Sequence, residues 1–141
     1  MHERNMRFHL VAAGFVLYFS KFYGFDRREY LLLLGVIALV LVCEALNTAI
    51  EATVNLCTKE YRENARIAKD AAAGAVLLSA LIAIVAGVVL FWDPAVIGFI
   101  WEYHFTSPLR GILLVAAVAA ALIFIFLPNR FYTGERRKKG E

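Results

Sequence analysis

Long apolar runs broken at a few turn-forming positions dominate this chain. Four of them fall at 8–23, 30–57, 67–92 and 111–127. A helix needs about 20 apolar residues to cross a hydrocarbon core near 30 Å, so the middle two are ample, while the first and last need help from their flanks. Gly24-Phe25-Asp26 breaks the first pair, Asp93-Pro94 stops the third helix and Pro128-Asn129 ends the fourth. Between the last two segments, Trp101, Tyr103 and Phe105 alternate with Glu102 and His104, a pattern suited to the headgroup level, where Trp92 also belongs. No internal repeat or low-complexity linker interrupts the pattern, and only the tail 134–141 reads as disordered.

The second segment carries a polar stripe. Stepping about 100° per residue from Glu44 puts Asn47 near 300°, Thr48 near 40°, Glu51 near 340° and Asn55 near 20°, so all five share an arc of about 100°. Ala45, Leu46, Ala49, Ile50 and Val54 occupy the other faces. A 28-residue helix would extend roughly 42 Å, so its C-terminal turns emerge from the membrane, with Glu51 near the interface and Glu44 about 10 Å deeper.

Composition and charge narrow the class. With 141 residues and 61% hydrophobic content, the chain holds more apolar surface than one small water-soluble domain could hide, which predicts an all-α integral membrane helical bundle. Its formal charge of +3 is no nucleic-acid signal, because the basic residues flank apolar runs. They cluster at Arg4 and Arg7, at Lys59, Arg62, Arg66 and Lys69, and in the tail from Arg130 to Lys139. The positive-inside rule then predicts a multi-pass protein of the bacterial cytoplasmic (inner) membrane, with both termini and the central loop inside. No cleavable signal peptide is expected. Cys43 and Cys57 are about 21 Å apart along one helix, far beyond disulfide reach, and read as free thiols.

Two carboxylates on one face of an apolar helix are costly and point to chemistry at the membrane. The wetter one, Glu51, suits a divalent-metal ligand, and the drier one, Glu44, a proton acceptor for a lipid hydroxyl. Lys69 and Arg66, at the start of the third helix, are placed to neutralise phosphate oxygens, and Ala71-Ala72-Ala73-Gly74-Ala75 allows close helix packing.

The run Glu44-Ala45-Leu46-Asn47-Thr48-Ala49-Ile50-Glu51, then Glu60-Tyr61 and Ala68-Lys69-Asp70, resembles the prokaryotic integral-membrane diacylglycerol kinase and undecaprenol kinase family. The opening 3–10 is similar to the segment before that family's first membrane helix, so the resemblance covers 3–92. It implies a homotrimer of three-helix subunits that transfers the ATP γ-phosphoryl group to a membrane lipid alcohol, with undecaprenol favoured over diacylglycerol, at a cytoplasm-facing site built partly from neighbouring subunits. By position, Glu44 corresponds to the general base and Asn47 to an amide beside the reacting groups. Glu51 and Glu3 correspond to Mg2+ ligands, and Lys69 and Asp70 to residues that organise the ATP phosphates; apart from the resemblance, the cation Arg7 is a candidate phosphate contact. The chain has no Gly-x-x-x-x-Gly-Lys loop, which excludes a P-loop kinase.

The expected organisation is a kinase core at 1–93, an interfacial segment and a fourth transmembrane helix at 94–127, and a basic cytoplasmic tail at 128–141. Three features depart from the family pattern. Asn55 stands where an acid is usual, only two residues precede Glu3 where a surface helix is usual, and everything after Pro108 exceeds a three-helix core. Plainer readings exist for most of these residues: polar glue for the Glu44 stripe, an interfacial anchor for Lys69-Asp70, a topology determinant for Arg7 and Arg66, a solvated terminus for Glu3. His2, His9 and His104 lack metal-ligand spacing and read as interfacial. A non-catalytic scaffold or regulatory homologue and a proton-conducting bundle are the alternative functions.

Overall fold

A computed structural model describes residues 2–58 and 62–127, with side chains from Arg4 onward. The described residues form five helices: α1 His2–Ser20, α2 Arg27–Cys57, α3 Glu63–Phe91, α4 Pro94–Phe105 and α5 Pro108–Phe126. Among them α2, α3 and α5 are long and apolar enough to cross a membrane. At about 1.5 Å per residue, α2 and α3 exceed a ~30 Å core and carry their ends into the interface, whereas α5 matches it.

The breaks follow local chemistry. Gly24 adopts φ 61°, a left-handed conformation that costs an L side chain about 1 kcal/mol or more. Asp26 then starts α2 with a capping box: its Oδ1 accepts from the Arg28 and Glu29 amides at 2.7 and 2.8 Å, and Glu29 Oε2 accepts from the Asp26 amide at 2.8 Å. Asp93 caps α4 through Ala95 N–H at 2.9 Å, with Pro94 in the first turn. The first helix differs from expectation. It starts at His2 rather than residue 8 and ends at Ser20, because its charged opening residues are adequate helix formers although they interrupt the apolar pattern.

α2 and α3 form an antiparallel hairpin, α1 packs on α2, and α5 packs on the other side of α1 with α4 folded against it. Arg7 ties α1 to the far end of α5, donating to the Phe124 and Leu127 carbonyls at 3.2 and 3.0 Å, while its guanidinium lies over the Phe124 ring. At the opposite end, Tyr18 meets His104 Nε2 at 2.9 Å and Tyr23 donates to the Phe91 carbonyl at 3.0 Å. His104 is therefore buried within the protein, packed among Tyr18, Phe19 and Phe22.

Burial is inverted relative to a water-soluble domain. The buried apolar residues are Leu33, Val40, Ala72 and Ile125, and the buried polar ones are Ser20, Glu44, Asn47, Ser79 and His104. Large side chains such as Leu31, Leu77, Val89 and Ile112 face outward. In hydrocarbon this is the stable arrangement, because lipid covers the apolar faces and polar groups must find partners inside. Ser20 and Ser79 do so through the carbonyls of Leu17 and Val76.

Candidate active site

The polar stripe of α2 faces its neighbours rather than lipid. Glu44 is 1% exposed and Asn47 7%, Thr48 and Glu51 are half-buried, and Asn55 is exposed at the end of the stripe. The apolar positions between them, Ala45 and Leu46, are exposed. That division reproduces the helical arc drawn from the sequence.

Two atoms stand out. Glu44 Oε1 and Asn47 Oδ1 are buried with no hydrogen-bond partner among the described residues. Leaving such an acceptor unsatisfied costs about 1–3 kcal/mol, and more when it is charged, so both mark places where a further donor would be accommodated. The amide of Asn47 points its Nδ2 toward Glu51 Oε1 at 3.4 Å, which orients the amide and leaves its oxygen open.

One turn beyond Glu51, the hairpin brings α3 against the stripe. Lys69 Nζ donates to Asn55 Oδ1 at 2.9 Å, so an amide oxygen anchors the lysine across the two helices. Arg66 pairs with Glu63 at 2.6 Å and Asp70 at 3.3 Å, all three exposed. Surface pairs of this kind contribute little stability, but they hold a guanidinium and an ammonium on one helix face near the stripe.

The structure thus places Glu44, Asn47, Glu51, Asn55 and Lys69 along the α2–α3 hairpin, with Asp70 exposed beside Lys69 and paired to Arg66. Arg7 donates to carbonyls at the end of α5. The side chain of Glu3, the loop 59–61 with Glu60-Tyr61, and the tail 128–141 lie outside the described residues. Both cysteines are free. The described residues contain no group of three His, Cys, Asp or Glu side chains gathered to hold a metal. The Glu51 carboxylate and the open Asn47 oxygen are nevertheless hard donors of the type magnesium takes, since that ion commonly uses one or two protein carboxylates and completes its shell with water and substrate phosphate.

Sequence reasoning missed two features here. The open acceptor on Glu44 depends on packing that no spacing rule reveals. The contact of Arg7 with α5 pairs residues 117 and 120 positions apart.

Comparison with known proteins places the seam in context. The sequence pattern described as prokaryotic diacylglycerol kinase matches residues 1–91. An undecaprenol kinase of Bacillus subtilis is 40% identical over 89 residues, covering 63% of this chain and 72% of that protein. A diacylglycerol kinase of Synechocystis is 38% identical over 93 residues, covering 65% of this chain and 53% of the relative, so the chain spans about half of that relative's length. A diacylglycerol kinase of Escherichia coli K12 is 32% identical over 93 residues, with coverage of 66% and 76%. No solved structure matches the chain.

Proposed function

This chain belongs to the prokaryotic diacylglycerol kinase family and is a membrane-embedded lipid kinase, and from that premise we propose that it transfers the γ-phosphoryl group of ATP, with magnesium, to a membrane lipid alcohol. Undecaprenol is the favoured acceptor and diacylglycerol the second. The more similar of the relatives described above acts, by its name, on undecaprenol. The observation that carries the reading is the buried Glu44 carboxylate with its open Oε1.

The chemistry follows from the seam. Glu44 accepts the proton of the lipid's primary hydroxyl as that oxygen attacks the γ-phosphorus, the bond from phosphorus to the β,γ-bridging oxygen breaks, and ADP leaves. The amide of Asn47, held by the Nδ2 contact to Glu51, keeps an open acceptor oxygen on the same helix face. Lys69 and Asp70 organise the ATP phosphates at the rim. Glu51, with Glu3, would hold magnesium, whose charge would offset that of the β- and γ-phosphate oxygens. Residues 1–93 constitute the kinase core, both termini face the cytoplasm, and the working unit is a homotrimer. The outward apolar faces of α2 and α3 supply surface for such packing.

The test is a lipid-panel assay. Detergent-purified protein given ATP, magnesium and either undecaprenol or diacylglycerol should move terminal phosphate into the organic phase, and Glu44→Gln should lower that rate about a hundredfold or more. Labelling of neither lipid by folded protein that binds ATP would overturn the acceptor assignment. A fully active Glu44→Gln would remove the proposed base.

A further inference from the structure

The α1–α5 face encloses a groove of about 490 Å3, distinct from the α2–α3 seam. Its walls are apolar, with Val11 and Phe15 from α1 and Leu114, Ala117 and Ala121 from α5. One end is different. There Tyr18, Tyr103, His104 and Arg110 converge.

Arg110 sits in the first turn of α5, where the helix macrodipole disfavours a cation. It has no carboxylate partner among the described residues, and its guanidinium lies 4.2 Å from the centroid of the Tyr103 ring. Ser107, the N-cap, makes no side-chain cap, and Pro108 occupies the first turn, so the Leu109 and Arg110 amides open α5 without a capping acceptor. A cation on the uncapped first turn of α5, stacked on Tyr103, therefore stands at one rim of an otherwise apolar slot. The Tyr18 hydroxyl and both His104 ring nitrogens are already paired, the latter with Tyr18 and the Ile100 carbonyl, and they close the slot's floor.

The dimensions specify the occupant. From Arg110 to Ala121 the groove follows α5 for about 16 Å, roughly half of a ~30 Å hydrocarbon core and so the depth of one leaflet. Charge at the rim and a one-leaflet apolar channel below it complement an amphiphile with an anionic head and a single-leaflet chain. We propose that this groove is a binding site for an anionic phospholipid, its phosphate held by Arg110 and the start of α5 and one acyl chain lying between α1 and α5.

The site lies outside the matched residues 1–91 on its α5 side, and the proposal stands independently of the kinase assignment. The full-length protein, purified in detergent and mixed with phosphatidylglycerol or phosphatidylcholine of identical acyl chains, can be examined by native mass spectrometry. Phosphatidylglycerol adducts should outlast phosphatidylcholine adducts about fivefold, the factor expected for one basic residue at a lipid surface. Arg110→Gln should abolish that difference, Arg110→Lys should keep most of it, and Ala117→Trp, which fills the channel, should remove both adducts. Circular dichroism confirms that each variant is folded, and lipid phosphorylation by Arg110→Gln in phosphatidylcholine micelles should be unchanged. Equal retention of the two lipids by the unmodified chain would overturn the proposal, as would an undiminished difference in Arg110→Gln. Displacement of phosphatidylglycerol by inorganic phosphate would identify a free-anion site and not a lipid one.

Discussion

Glu44 combines two properties that rarely coexist in a stable helix: it is buried, and one of its oxygens has nothing to accept among the described residues. If its purpose is catalytic, removing the charge should relieve the fold while disabling the reaction. Glu44→Gln is therefore expected to melt at the same temperature as the unmodified chain or above it while losing turnover, a split that a thermal melt and the labelling assay read together. Glu51→Gln should raise the magnesium concentration for half-maximal rate, and Lys69→Ala should raise the KM for ATP severalfold, both measurable in the same assay. The alignment of these groups was legible from spacing alone, because one 3.6-residue period governs both the sequence arc and the exposure seen in α2. What spacing could not convey is how a side chain is partnered across the fold. His104 stands in sequence among Trp101, Tyr103 and Phe105, yet Tyr18, 86 positions away, draws it inside the protein.

The boundaries of the helices were legible for the same local reason. Gly24, Asp26, Asp93 and Pro94 act on their immediate neighbours through φ, capping oxygens or a missing N–H, and each stands at an observed break. Asp26→Ala, which removes the capping box of α2, should cost about 1 kcal/mol, visible as a lower unfolding midpoint. The start of α1 was less legible, since periodicity detects buried faces and its opening turns are exposed. Arg7 gives that stretch its tertiary role. Arg7→Gln should weaken the α1–α5 contact by about 1 kcal/mol and speed hydrogen exchange in the last turn of α5, leaving exchange in α3 unchanged.

For the molecule as a whole, the family match ends at residue 91 while the packing does not. Helices α4 and α5 return to α1 and shield a flank that a three-helix core would expose. A chain ending at residue 93 should therefore still phosphorylate lipid, but with a lower thermal midpoint, and comparing rate and melt for the two lengths checks both parts. The sequence anticipated the additional helix but not its docking partner, because apolar residues on a membrane helix do not distinguish lipid from protein as neighbours. The Arg7 bridge has a topological corollary. It sets the beginning of α1 beside the end of α5, so the path through the bundle closes on itself like a loop of thread. A crosslink placed between the second turn of α1 and the last turn of α5 would therefore clasp the bundle without displacing a helix.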